Sequence, residues 1–209
     1  AVQSGMPTQR DEQERIKNGL LNLHRLFSQA PTLGSLINPK KLKGSVFDAD
    51  YETIQPYLTA IRAVEKADDE TRERAIAAAG MVKAADLLAG DYTLVITNVP
   101  FLTRGKQSEA LKAHIELHHR DAKQDLATAF LDRLMMICAT FGSVALVTPQ
   151  NWHYLTSYRR FRETLLLERQ WHMIARFGPA AFQNMNWWAA TTQLSIISED
   201  SPAQVAWFC

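Results

Sequence analysis

The sequence predicts an α/β fold, a mostly parallel sheet with helical crossovers and an antiparallel hairpin at one edge. Three observations point there. Two short β-branched runs, Tyr92 to Thr97 and Ser143 to Thr148, are separated by amphipathic helical stretches, and that alternation argues for parallel strands. Two later strand patterns, His172 to Phe177 and Thr191 to Ile197, have no helix between them and read as an antiparallel pair. The first two runs also end on turn formers, Asn98 with Pro100 and then Pro149.

The elements follow in order. Asp11 to Phe27 reads as an amphipathic helix with Ile16, Leu20, Leu23 and Phe27 on one stripe. Pro31 to Ile37 reads as a loop with a short strand, closed by Asn38-Pro39. Tyr51 to Leu88 is mostly helical, with one apolar face at Tyr57, Ile61 and Val64 and another at Met81, Ala84 and Leu88. The charge run Lys66 to Arg74 between them reads as solvated surface or a turn. After the first strand come a helix over Ser108 to His119 and a stronger one from Asp125 to Phe141. The second carries Leu126, Phe130, Leu134, Ile137 and Phe141, with Gly142 as its stop. Tyr158 to Glu168 is the last helix, with Phe161, Leu165 and Leu166 facing inward. The expected organisation is one compact unit, with residues 1–90 a helical portion leading into the sheet of 91–209.

Composition bounds the function. At 209 residues, with 46% apolar and 22% charged side chains, the chain is an ordinary globular one. Its formal charge of +1 excludes one large basic face, so any nucleic acid contact must come from a local patch. Cys138 and Cys209 make no disulfide framework, which points to a reducing, cytoplasmic compartment. No apolar run of about 18 residues suggests a membrane span. The opening Ala-Val-Gln-Ser-Gly ahead of Met6 reads as a remnant, and the apolar ending Val205 to Cys209 as a trimmed chain.

In open α/β sheets, ligands sit beyond the carboxyl ends of the strands. After the first strand stands Asn98-Val99-Pro100-Phe101. An enzyme that alkylates an exocyclic amine must hold it with its lone pair toward the donor. A side-chain amide and the next backbone carbonyl supply two acceptors. Proline stiffens the turn, and an aromatic ring stacks on the extruded base. Asn98, the Val99 carbonyl, Pro100 and Phe101 offer those parts in order. The same four residues also fit a plain strand-ending turn. Asn98 is expected to end a central parallel strand and face a cleft, with Phe101 partly accessible.

Asp91 to Phe101 resembles the strand and Asn-Pro-Pro-Tyr/Phe motif of adenine-N6 DNA methyltransferases. Lys123 to Arg133 resembles that family's helix, and Val144 to Trp152 its next strand and loop. Tyr158 to Leu166, Phe177 to Phe182 and Thr191-Thr192 resemble the rest of the catalytic domain. With Phe27 and Gly34-Ser35-Leu36-Ile37, the chain is similar over residues 20–200 to the PglX-type methyltransferases of BREX phage-defence systems and their restriction-modification relatives. The resemblance implies a partial Rossmann-like, S-adenosylmethionine-dependent methyltransferase fold and methyl transfer to adenine N6 in double-stranded DNA. It implies catalytic roles for Asn98, Val99, Pro100 and Phe101, and places Ser35 and Leu36 near the donor's adenine. Defence-system proteins are further implied partners.

The sequence departs from the family in three places. Pro is usual where Val99 stands; Val keeps the carbonyl but loosens the turn. Asn186-Trp187-Trp188 replaces a glycine pair. No strand followed by a glycine-containing donor loop occurs before Gly34, so the chain reads as the second half of a catalytic domain. The rival readings are a non-catalytic methyltransferase-like module for DNA binding or assembly, and another nucleotide-binding α/β enzyme.

Arg104 and Lys106 could meet phosphate near a flipped base. Arg159, Arg160 and Arg162 read as a solvated basic group, and Trp152, Trp187 and Trp188 as core or stacking residues. His114-Ile115-Glu116-Leu117-His118 places Glu116 one position later than the zinc-peptidase pattern. A solvated helix face is expected there, with no metal.

Overall fold

A computed structural model describes residues 9–42, 49, 51–61, 69–177 and 192–202. The chain divides into two compact units, 1–90 and 91–209. Val64, Phe182, Trp187, Trp188 and Cys209 lie outside the described residues.

The N-terminal unit is helical: α1 (Gln9–Phe27), a short α2 (Ala30–Leu33), α3 (Tyr51–Ile61) and α4 (Asp69–Ala89). Its core joins Ile16 and Leu23 of α1 to Ala49, Tyr51, Ile54, Val82 and Ala85. Helix α1 approaches closely because Gly19 lacks a side chain. A Cβ there would stand 2.7 Å from the Ala49 carbonyl oxygen and 2.9 Å from Ile54.

Three expectations for this unit need correction. The inward face of α3 is Tyr51 and Ile54, while Tyr57 is exposed. Among the described side chains of α4 the fully buried positions are Val82 and Ala85, one residue along from the predicted Met81 and Ala84. An alanine-rich helix gives periodicity little contrast, so its stripe is easily displaced. Residues 30–36 form α2 and a 3-10 turn at Gly34–Leu36, not a strand, with proline in the first turn of α2, where helices accept it.

The C-terminal unit is an α/β layer. Strands β1 (Tyr92–Asn98), β2 (Cys138–Pro149), β3 (Gln170–Arg176) and β4 (Thr192–Ser198) form a four-stranded sheet in the order β1-β2-β4-β3. β1 and β2 are parallel; β4 runs antiparallel to both β2 and β3. The hairpin therefore slots its return strand between β2 and β3, and β3 runs parallel to β2. The crossovers are α5 (Glu109–His118) with α6 (Leu126–Met136), and then α7 (Arg159–Glu168). Both α6 and α7 pack on one face, joining Leu131, Leu134, Phe161 and Leu165 to Val144, Leu146, Trp171 and Ile197.

The other face is apolar and less covered. Side chains alternate along a strand, so Leu94 and Ile96 share a side of β1 and are 58% and 72% exposed. Their cross-strand partners Ser143 and Ala145 are only half-buried. Among the described residues β1 lies at the margin of the sheet, not at its centre as expected, because its outer side finds no partner strand.

The stretch 137–142 departs most from expectation. Helix α6 stops at Met136, and β2 begins at Cys138. Phe141, read as the last apolar position of the helix, is 76% exposed in left-handed backbone (φ 63°). Gly142 is not a helix stop; a Cβ there would meet Ala139 O at 2.8 Å and Tyr92 O at 2.9 Å. Register slips here, since Tyr92 faces Cys138 but Leu94 faces Ser143, the signature of a bulge.

Candidate active site

Asn98 is the last residue of β1 and pairs in register with Val147. It is exposed, and its side chain makes no hydrogen bond among the described residues. Val99 then turns inward and is 4% exposed in the core under the sheet. Pro100 is exposed, and Phe101 is half-buried against that core. Strand, buried anchor, rigid proline and half-covered ring thus succeed one another within four residues.

The chain leaving the motif is tied to the amino end of α6. Asp125 caps that helix by accepting from the Ala127 amide at 2.9 Å, and the same oxygen accepts from the Leu102 amide at 3.3 Å. The Leu126 amide donates to the Leu102 carbonyl at 2.9 Å, as does the Gln107 side-chain amide at 3.1 Å. The Arg104 amide donates to Gln124 O at 2.8 Å. Asp125 and Gln107 are 5% and 4% exposed, so these bonds are shielded from competing water. Sequence reading missed both. Asp125 ahead of an apolar run signals a cap, but nothing local signals a second bond to Leu102.

Arg104 and Lys106 follow on a 3-10 turn. Arg104 is held by Glu116 at 2.7 Å, and Lys123 reaches the other oxygen of that carboxylate at 2.6 Å. The Lys123 hydrogen bond, with Arg104 and Arg120 nearby, holds the Glu116 carboxyl below the usual range. Lys106 is exposed. Within Glu109–His118 the His114 and His118 rings lie 4.6 Å apart, and His119 Nδ1 meets Asp132 at 2.7 Å.

The end of β2 carries a buried polar network that the sequence did not announce. Trp152 is fully buried, and its Nε1 donates to Thr148 Oγ1 at 3.1 Å. It is a core residue, closed to any stacking base in this conformation. His153 stacks on it with centroids 3.8 Å apart and hydrogen bonds the Gln193 side chain, which also donates to Ser195 Oγ at 3.0 Å. Burial, with Arg162 nearby, pushes the His153 imidazole down to about 4, so the ring is neutral at physiological pH. Arg162 donates to the carbonyls of Trp152 and Leu155 at 2.6 and 2.7 Å and braces this loop. It is thus a structural brace, while Arg159 and Arg160 are exposed.

Ser35 and Leu36 belong to the N-terminal unit, on the Gly34–Leu36 turn. Ser35 is exposed and Leu36 is 1% exposed. The motif and its anchors all belong to the C-terminal unit.

A family model for the Eco57I restriction-modification methylase matches residues 21–182. The chain belongs to that family. The chain is 28% identical over 164 residues to the adenine-specific methyltransferase BrxX of Escherichia coli O9:H4 (strain HS), covering 78% of this chain and 13% of that protein. It is 27% identical over 107 residues to the adenine-specific methyltransferase PglX of Lacticaseibacillus casei (strain Zhang), covering 50% and 9%. The chain therefore spans about a tenth of the curated relatives it matches. Among solved structures, a class I S-adenosylmethionine-dependent methyltransferase from Listeria monocytogenes aligns over 99% of this chain and 67% of its own (TM-score 0.47, 13% identity). A modification subunit of a type I restriction enzyme from Vibrio vulnificus YJ016 aligns over 76% and 39% (TM-score 0.45, 16% identity). Membership of the family and the α/β sheet described above agree with the fold class read from the sequence. No described helix is long and apolar enough to cross a membrane.

Proposed function

We propose that this chain supplies the base-holding part of an adenine-N6 DNA methyltransferase acting in restriction-modification or phage defence in the cytoplasm. The observation that carries this reading is the unengaged Asn98 amide at the carboxyl end of β1. Behind it, Val99 is locked in the core and Phe101 is half open.

In the proposed reaction the Asn98 side-chain oxygen and the Val99 carbonyl accept the two N–H bonds of the extruded adenine amine. Both acceptors draw the nitrogen away from planarity, so its lone pair points out of the ring plane toward an incoming methyl. Phe101 stacks on the base, and the Asp125 ties fix the turn so that little reorganisation is left for the chemical step. S-adenosylmethionine, when bound, supplies the electrophilic methyl group.

The residues at hand do not fit that donor by themselves. Leu36 is shut into the interior, and Ser35 stands exposed on a three-residue turn. The chain alone is therefore expected to bind S-adenosylmethionine weakly or not at all, since a half-built seat does not offset several kcal/mol of lost freedom. Titration calorimetry giving micromolar affinity overturns this.

In a full-length protein carrying this segment, Asn98→Ala should leave fold and donor binding nearly intact. Turnover should fall about a hundredfold, roughly 3 kcal/mol at the transition state. Val99→Pro, which restores the family's usual turn, should keep or raise activity. Unchanged methylation by Asn98→Ala removes the motif from the active site. It would leave the rival reading, a methyltransferase-like module kept for DNA binding or assembly, which the Val99 departure favours.

A further inference from the structure

We propose that a basic pocket at the carboxyl rim of the C-terminal unit binds a backbone phosphate of nucleic acid. It is a cavity of about 300 Å3 with Arg120 and Lys123 on one side and Arg159 and Arg160 on the other. Thr156 and Ser157 add hydroxyl donors, and Asp121 is the one carboxylate in the lining. The proposal rests on the nucleic acid reading above and deepens it.

The sequence builds this pocket on fixed backbone. On the first side, Ala122 is 1% exposed and its carbonyl accepts from Thr128 Oγ1 at 2.6 Å, while the 2% exposed His119 holds Asp132. On the second side, Tyr158 is 3% exposed and Arg162 pins the carbonyls of Trp152 and Leu155. The walls are therefore rigid, and only the tips of the cationic side chains are free to move. Lys123 stands two residues before Asp125, which bonds Leu102 just past the motif. The segments after β1 and after β2 both leave carboxyl ends of parallel strands, so the pocket opens on the end of the sheet that carries Asn98.

Charge pairing leaves the pocket in want of an anion. Lys123 is held by Glu116 and Arg159 by Glu163 at 2.7 Å. Arg160 reaches Asp121 only at 4.0 Å with its side chain 83% exposed. Arg120 has no ion pair among the described residues, though it lies within electrostatic reach of Glu116. The second observation is independent. Helix α7 has no acidic residue in its first turn and no side-chain cap from Tyr158, yet two arginines begin it. Cations at the positive end of a helix dipole are unfavourable, and an anion reverses that balance. The cations project from two separate elements into an open cavity, an arrangement that follows a polymer backbone better than it encloses a free ion.

The test is anisotropy of a labelled 20-base-pair duplex with the 209-residue chain across a salt series, without donor. Arg120→Gln with Arg160→Gln should weaken binding roughly tenfold at about 100 mM salt and flatten the log–log salt slope by about 1 to 2. Asp121→Asn, which removes the competing carboxylate, should tighten binding by a few fold. Arg25→Gln with Lys83→Gln, equal in charge lost but remote in sequence, should change little. Equal losses in the two double variants overturn the proposal, and so does displacement of duplex by millimolar inorganic phosphate at constant ionic strength, which marks a free-anion site. These readouts separate it from the catalytic reading. Loss of grip in the arginine variants with methylation untouched by Asn98→Ala keeps the pocket and removes the motif; the reverse pattern removes the pocket alone.

Discussion

His153 ties its ring to a buried partner on β4 and so makes stability depend on pH. Its folded-state value of about 4 lies below the ordinary 6.5 because burial disfavours the charged ring, with Arg162 adding to the effect. Between those values the unfolded chain takes up a proton that the folded chain refuses. Stability should therefore fall as pH drops from about 6.5 to about 4 and level off below. The full shift corresponds to about 3 kcal/mol, and solvent screening at a partly open ring reduces this to about 1–2 kcal/mol. Thermal melts across that window should show the fall, and His153→Gln should flatten it. A wild-type profile matching the variant's would deny His153 the role. At the same scale, Asn98 was legible because a polar residue ending a β-branched run is a local pattern. Asp125 was only half legible, since its bond to Leu102 spans 23 positions and no local pattern encodes it.

Among the elements, the join between α6 and β2 shows where periodicity runs out. Ile137 and Phe141 continue the apolar spacing of α6, so the sequence reads as one longer helix. What ends it is tertiary: the Gly142 backbone presses against the Tyr92 carbonyl from another strand. Phe141 reaches left-handed backbone and donates its amide to the Glu199 carbonyl at 2.9 Å. Gly142→Ala should cost roughly 2 kcal/mol, because backbone atoms rather than a flexible side chain must yield. Phe141→Asn should be neutral or stabilise by up to about 1 kcal/mol, since Asn tolerates positive φ and the exposed ring has little packing to lose. Urea midpoints decide both, and an unmoved midpoint for Gly142→Ala sinks the close-packing account. The parallel pair and the terminal hairpin, by contrast, were legible, because crossover length and turn residues are written locally. The one-residue displacement of the α4 stripe followed from alanine's weak contrast between buried and exposed positions.

At the scale of the whole molecule, charge and surface act together. A formal charge of +1 and a pI near 8.0 give little long-range repulsion between copies. Against that weak barrier stands the apolar side of β1, with Leu94 and Ile96 exposed on a strand whose outer margin is unpaired among the described residues. Such an edge invites pairing by another chain. The consequence is a matter of reaction order. Folding is first order, whereas strand-to-strand capture is second order or higher, so dilution protects the chain and concentration exposes it. Leu94→Lys with Ile96→Thr should raise the protein concentration at which light scattering begins by several fold. The melting temperature at micromolar protein should move by no more than about a degree, because neither side chain packs in the core. Scattering that begins at the same concentration in both proteins places the sticky surface elsewhere. Storage near pH 8, where charge vanishes, should shorten the lag before turbidity, and added salt should do little more, since there is scarcely any repulsion left to screen.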